Sequence, residues 1–276
     1  MKPFRIVVVA DLHVGSVHAL WPPKQRLPGG GYYEPNKGQQ FLYKCWRDAT
    51  RRIRRLNPEI VLLLGDAIQG KSIRDGQLVS NRSDVQVAGA LKLLRPIREK
   101  CHRFYMVKGT PWHEGKDGED LGLLAEALGA WIQPQTGEYS WWETYLQLPG
   151  EEAAVVHFAH AIGATKVSWY EGTVPLRDTL MKMSELQRWW KGQSPNLRLT
   201  VRAHRHRCMG IFIAPDIAAW TAPCWQLPTA YAHQHSIVTL PHIGWLQIDW
   251  NGQDLVVLPR LYRIPLPHVE EMTGGD

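Results

Sequence analysis

Apart from Arg5, every residue from Phe4 to Val9 is apolar, and the next charged side chain is Asp11. An apolar run that ends in a polar turn predicts a strand covered on both faces of a sheet. Glu59 to Leu64 and Phe104 to Val107 repeat the pattern. Between the first two runs, Leu42, Cys45, Trp46, Ala49, Ile53 and Leu56 recur at helical spacing. They predict a helix over about 39 to 56, stopped by Asn57-Pro58. A second helix, about 84 to 95, carries Val87, Ala90, Leu91 and Leu94 on one side, and Pro96 ends or kinks it. Strand, helix, strand, helix, strand is the pattern of an α/β protein with parallel strands.

The rest of the chain is less regular. Gly118 to Leu128 predicts a short helix, and 139 to 161 turns strand-like around Val155-Val156-His157. Another helix is expected over about 176 to 191, then a strand at Leu197 to Val201. Asn251-Gly252, between Leu246-Gln247-Ile248 and Leu255-Val256-Val257, signals a hairpin. The stretch Gly15 to Gly38 has no periodicity and holds Trp21 and Tyr32-Tyr33. Loops of that length are usually functional or disordered. With no repeat, low-complexity tract or linker, residues 1–276 read as one domain.

Composition narrows the class of partner. Thirty-two Lys and Arg against 26 Asp and Glu leave a formal charge of +6, which suits an anionic ligand such as a phosphate ester or nucleic acid. Arg47, Arg51, Arg54 and Arg55 line one side of the first helix. They read as its solvated face in preference to a nucleic-acid track. The four cysteines are scattered, which excludes a zinc ribbon and a disulfide framework. Cys208 is expected to be a small apolar residue beside His206. No segment is long and apolar enough for a signal peptide or a membrane span, so the expected compartment is the cytoplasm.

Chemistry concentrates at four points. Asp11-x-His13 and Gly65-Asp66 each follow a predicted strand, as does Gly109-Thr110-Pro111-Trp112-His113-Glu114, and Ala203-His204-Arg205-His206 comes last. In an extended strand, residues i and i+2 share a face, so Asp11 and His13 are expected to bind one cation together, and His204 and His206 likewise. Sites in α/β sheets form at the carboxyl ends of strands, which brings Asp66 to the same crevice. A carboxylate has two oxygens and can bridge two ions. Taken singly, each segment has an ordinary reading as a turn, a strand exit or a surface pair. Their joint order points to a metal-dependent phosphoesterase.

These motifs resemble those of the calcineurin-like metallophosphoesterase superfamily, whose signature runs Asp-x-His, Gly-Asp, Gly-Asn-His-Glu/Asp, a lone His, then Gly-His-x-His. The match covers residues from about 4 to 210. Asp-x-His and Gly-Asp agree fully, Ala203 replaces a Gly, and the third motif has Thr110 for Asn with two extra residues before His113. The resemblance implies a four-layer α-β-β-α sandwich of two mixed sheets, with the β-rich C-terminal third supplying much of the second sheet. It implies two divalent transition-metal ions, manganese foremost, with iron, zinc or nickel also suited to nitrogen and oxygen donors. Asp11, His13, Asp66 and His206 would hold the first. Asp66, Thr110, a lone His and His204 would hold the second. The lone His is His160 or His157; His160 is preferred because it lies past the strand core. His113 would assist the leaving oxygen as acid or charge stabiliser. Glu114 would either orient His113 or face solvent.

Trp112 and Arg205 are the expected substrate-binding residues, and Trp112 or the loop tyrosines offer faces for stacking bases. The paired Trp141-Trp142 and Trp189-Trp190 read as core. The expected activity is phosphodiester hydrolysis on a nucleotide or nucleic acid. A DNA nuclease is the narrower alternative. The rival from another class is a non-catalytic nucleic-acid-binding protein whose second metal site has decayed at Thr110. Nothing in the sequence sets an oligomeric state.

Overall fold

The computed structural model describes residues 2–71, 77–150, 154–163, 170–190, 196–230, 232 and 240–265. The first apolar run is β1 (Phe4–Val9). Helix α1 (Lys37–Leu56) opens on a reciprocal cap, in which Asn36 Oδ1 accepts from the Gln39 N–H and the Gln39 side chain accepts from the Asn36 N–H. It ends at Asn57 in a left-handed conformation. Then come β2 (Ile60–Leu64), α2 (Ser83–Arg98) and β3 (Arg103–Val107). Helix α2 runs through Pro96 instead of stopping before it. The proline sits in the last turn, where one hydrogen bond is lost, and Ile97 continues the buried stripe of Leu93 and Leu94.

Two helices follow, α3 (Pro111–Glu114) and α4 (Glu119–Ala127), then β4 (Glu143–Gln147), β5 (Ala154–Ala159) and α5 (Thr173–Trp190). The chain continues through β6 (Asn196–Arg202), β7 (Met209–Ala214), β8 (Ile217–Thr221), β9 (Ile243–Trp250) and β10 (Leu255–Tyr262). One sheet has the order β10-β9-β1-β2-β3, the other β4-β5-β6-β8-β7. Each is mixed: β1, β2 and β3 are parallel, as are β5, β6 and β8, with antiparallel strands toward the edges.

The two faces of β1 and β2 explain their unbroken apolar runs. Val7, Val9, Val61 and Leu63 join Leu42 of α1 and Leu94 of α2 in one core. Ile6, Val8, Leu62 and Leu64 point the other way and meet Val156, Phe158, Leu199 and Val201 of the second sheet. Helix α5 covers the far side, with Leu186 against Val155 and Leu197. The layers are therefore helix, sheet, sheet, helix. No helix among the described residues is long and apolar enough to cross a membrane.

The C-terminal third divides in a way the sequence did not anticipate. Strands β7 and β8 enter the second sheet, but β9 returns to pair with β1, and β10 forms the edge beyond it. Strand β9 can do so because it is apolar on both faces: Ile243 and Trp245 fill the helix-side core, and Leu246 and Ile248 lie between the sheets. The expected hairpin joins β9 and β10 through residues 251–254, where Asn251 Oδ1 accepts the N–H groups of Gln253 and Asp254.

The aperiodic stretch after Asp11 is packed core along its first half. Leu20 and Trp21 are fully buried, and Trp21 meets Tyr33 edge-on with 6.2 Å between rings. Its backbone groups find partners at a distance: Leu20 N–H donates to Trp225 O at 3.1 Å and Val17 N–H to Gln77 O at 2.9 Å. Trp21 therefore offers no face to a base, and of the loop tyrosines Tyr32 is the exposed one. Trp142 is also exposed, with the Lys108 ammonium 4.9 Å from its ring centre, which corrects its assignment to the core. The side chains of Trp189 and Trp190 lie outside the described residues.

Candidate metal centre

The strands stop short of the motif residues. Strand β1 ends at Val9 and β6 at Arg202, and the donors that follow lie in left-handed turns. Asp11 (φ +50°), His13 (φ +45°), Asp66 (φ +50°), His204 (φ +69°) and His206 (φ +54°) are five of the seven described non-glycine residues with positive φ. The expectation that each i, i+2 pair lies on one face of an extended strand is overturned. Kinked backbone aims them instead. Each such residue costs roughly 1–2 kcal/mol, a cost that persists only where the surroundings over-determine it.

Those surroundings are visible. Asp11 N–H donates to Gly65 O (3.1 Å), His13 N–H to Asp66 O (3.0 Å) and Val14 N–H to Ala67 O (3.1 Å), so the loops after β1 and β2 stay paired beyond the strand ends. From the second sheet, His204 N–H reaches Asp11 Oδ2 at 3.2 Å. A Cβ on Gly65 would overlap the His160 ring, and one on Gly109 would overlap Asp66 Oδ1, so both motifs need glycine for close approach.

The donors converge into overlapping groups, each with its donor atoms within 4.8 Å of one another: Asp11, His13 and His206; His13, Asp66 and His113; Asp66, His160 and His204. His206 Nε2 lies 3.5 Å from Asp11 Oδ1, and His13 Nε2 lies 3.8 Å from that oxygen and 3.9 Å from Asp66 Oδ2. His160 Nε2 is 3.2 Å from Asp66 Oδ2. Asp66 thus stands between two donor sets contributed by the ends of β1, β2, β5 and β6.

Electrostatics follows from this crowding. Burial pushes the Asp66 carboxyl up, but the charge and hydrogen bond of His160, with His113 and His13, hold it well below the usual range. Burial opposes a proton on His160, yet Asp66 and Asp11 raise it to about 10. His13, buried beside His113, is pushed well below the ordinary imidazole value. Burial and the neighbouring His160 lower His204. Asp11 Oδ1 is buried without a hydrogen-bond partner. An unpaired buried polar atom costs about 1–3 kcal/mol, and more when charged, so a donor left in this state fits a bound cation.

A supporting layer holds these groups. His160 Nδ1 is 2.8 Å from Leu64 O; a carbonyl only accepts, so Nδ1 donates there and Nε2 is the nitrogen that faces Asp66. His113 Nδ1 is fixed in the same way on Gln69 O at 2.8 Å. Thr110 gives Asp66 Oδ1 both its N–H (2.7 Å) and its hydroxyl (3.1 Å). Glu114 is buried, accepting from Ala67 N–H at 2.8 Å and from Gly109 N–H. It neither faces solvent nor orients His113, contrary to both expectations; it ties the exits of β2 and β3 together. Burial and the Asp66 charge push its carboxyl up to about 8 against the pull of those two N–H groups. The cysteine beside His206 is Cys224, whose sulfur, with Asp11, raises the His206 imidazole well above its ordinary value against burial. Cys208 packs at the edge of the core between the sheets.

His157 is outside this cluster. Since Val156 and Phe158 face the first sheet, His157 faces α5, where it stacks on Tyr145 (4.3 Å) and bonds Glu143 (2.9 Å) and Arg202 (3.0 Å). The His157 hydrogen bond above all holds the Glu143 carboxyl down, at about 2 against an ordinary 4.5. A depressed folded value means that this contribution is complete above about pH 4.5 and is lost as pH falls toward 2. Thermal melting should show part of the acid-side fall in Tm over that window, and Glu143→Gln should flatten it. Superimposable wild-type and variant profiles would show that Glu143 carries none of it.

Of the two expected substrate residues, one is exposed and the other half-buried. Trp112 is 71% exposed on α3. The Arg205 guanidinium is 3.8 Å from Glu171, which also lies 3.5 Å from Arg207.

This architecture is the calcineurin-like metallophosphoesterase fold. A dimetal phosphatase from Danio rerio superposes with a TM-score of 0.51 at 13% identity, covering 95% of this chain and 97% of that one. Weaker likenesses are Vps29 of Chaetomium thermophilum (TM-score 0.42, 13% identity, 96% of this chain and 99% of that one) and a metallophosphoesterase from Sphaerobacter thermophilus (0.39, 11%, 94% and 89%). At such identities the likeness establishes the fold alone. No protein-family model matches the sequence, and no curated protein sequence does either.

Proposed function

We propose that this chain is a metal-dependent phosphoesterase, acting on phosphodiesters by preference and on a nucleotide or nucleic acid as substrate. The observation that carries the reading is Asp66, buried and shared between two donor sets. Asp11, His13, Asp66 and His206 would hold one divalent ion, and Asp66, His160 and His204 the other. Thr110 contributes to the second ion by anchoring Asp66. Bound transition-metal ions, with manganese, iron, zinc and nickel all suited to these donors, supply Lewis acidity and a water of lowered pKa.

The protein's own groups do the rest. Because Nδ1 of His113 donates to Gln69 O, Nε2 is the nitrogen left to exchange a proton. The His113 ring sits edge-on to His13 with 4.6 Å between centres, beside the donors, and the exposed Trp112 precedes it in the chain. As water adds to phosphorus and the ester P–O bond breaks, His113, entering as the imidazolium, would give its Nε2 proton to the departing oxygen, and the proton lost by the water would pass to solvent. Trp112 offers a face for a base next to that bond.

Chelator-stripped protein should regain turnover of bis-p-nitrophenyl phosphate when manganese, nickel or zinc is restored, with slower turnover of p-nitrophenyl phosphate. Single-stranded DNA in the same panel tests the nuclease form of the reading. His113→Ala should lower kcat about 10²–10⁴-fold with metal content intact. Folded, metal-loaded protein without turnover on any of these esters would overturn the proposal in favour of a binding protein.

A further inference from the structure

Away from the metal centre, the outer surface of the helix layer carries a groove of about 500 Å³ between α1 and α2. Arg47, Arg51, Arg54 and Arg55 enter it from α1, and Lys92 and Lys100 from α2. No metal-centre residue lines it. Position 51 stands four residues from 47 and from 55 and three from 54, so these arginines share one side of the helix. The floor is built: the buried Trp46 donates its indole N–H to Leu93 O at 3.3 Å, linking the two helices.

A solvated helix face normally alternates its charges, but here the neutralisation is one-sided. Asp48 takes Arg51 and Arg52, both at 2.6 Å, and accepts the Tyr262 hydroxyl at 2.9 Å. Lys92 Nζ is bound to Pro23 O at 3.0 Å. Arg47, Arg54, Arg55 and Lys100 are exposed and, among the described residues, none is in an ion pair or side-chain hydrogen bond. Four uncompensated cations, with Arg51 and Lys92 between them, leave the groove strongly positive along its length.

We infer that this groove binds the sugar-phosphate backbone of a nucleic acid strand. From Tyr43 to Arg55 the lining helix runs about 18 Å. A strand carrying one phosphate per ~3.4 Å would set about five phosphates along it, matching the cations available. Guanidinium forks suit phosphate oxygens, and a concave groove admits a strand where a planar lipid surface would touch only its rim. The inference does not depend on ester hydrolysis.

The test is fluorescence anisotropy with a labelled single-stranded DNA of about 15 nucleotides, with chelator present so that nothing is cleaved. Wild-type protein should bind, and log Kd should rise linearly with log salt between about 50 and 200 mM. The combined variant Arg47→Gln, Arg54→Gln, Arg55→Gln, Lys100→Gln should bind at least ~10-fold more weakly, with a slope reduced by about 3. Its circular dichroism and Tm should match wild type. Asp48→Asn, which releases Arg51 and Arg52, should tighten binding and steepen the slope, and it decides the matter if the fourfold variant does not fold. No wild-type binding, an unchanged slope in the folded fourfold variant, or an unchanged Kd in Asp48→Asn would each overturn the inference. So would capture of phosphatidylserine vesicles or polyglutamate in place of the oligonucleotide.

Discussion

Asp66→Asn should reduce turnover of bis-p-nitrophenyl phosphate by about 10³-fold or more and lower the bound metal below two ions per chain. The side chain keeps its size, so the effect isolates charge and donor type. Asp66 is the carboxylate common to both donor sets, and three imidazoles (His160, His113 and His13) hold it ionised against burial. The amide would offer one neutral oxygen instead of two charged ones. Its NH2 group would also confront Thr110 N–H or the His160 ring, where the carboxylate now accepts. Weakening both cations together removes roughly 4 kcal/mol of charge stabilisation, which corresponds to the stated factor. Metal analysis and steady-state kinetics on the folded variant provide the measurement. Full activity with two ions bound would show that Asp66 bridges nothing.

The second large effect is expected at a residue that touches neither substrate nor metal. Glu114→Gln should lower activity about 10–100-fold, the range for outer partners of metal ligands, and lower Tm by several degrees. The present carboxyl group accepts from Ala67 N–H and Gly109 N–H, the residues that follow Asp66 and precede Thr110. A glutamine can satisfy one of them; its NH2 group leaves the other buried donor unpaired, at about 1–3 kcal/mol. Burial and the Asp66 charge push the Glu114 carboxyl up to about 8, so near neutral pH the group is largely uncharged and the substitution removes little charge. The hydrogen-bond loss dominates, because the geometry of two loops depends on it. Differential scanning calorimetry and kinetics at saturating metal would test this, and an unchanged Tm with full activity would show the tie to be dispensable.

The layered fold was legible because covered strands and amphipathic helices write their burial into local spacing. Strands β1, β2 and β3 and helices α1 and α2 lie within a few residues of where their apolar runs put them. The return of β9 to β1 was not legible, since a two-sided apolar strand suits either sheet and only the competition for core volume assigns it. The buried Trp21 escaped for a related reason: it packs without periodicity, so nothing local distinguishes it from an exposed loop aromatic.

At the site, the sequence by itself determined the candidate donor types and their order, because aspartates and histidines gathered at strand exits suit divalent transition metals. It also determined the glycines beside them, which no side chain could replace. How those donors meet was decided by tertiary structure. Positive φ at Asp11, His13, Asp66, His204 and His206 is locally unfavourable and is imposed by hydrogen bonds between segments as much as 193 residues apart. The choice of His160 for the cluster and His157 for the α5 face rests on which side of β5 is core. The use of Glu114 as a tie between β2 and β3 rests on two strand ends being neighbours. Both follow from long-range packing, which a local spacing does not contain.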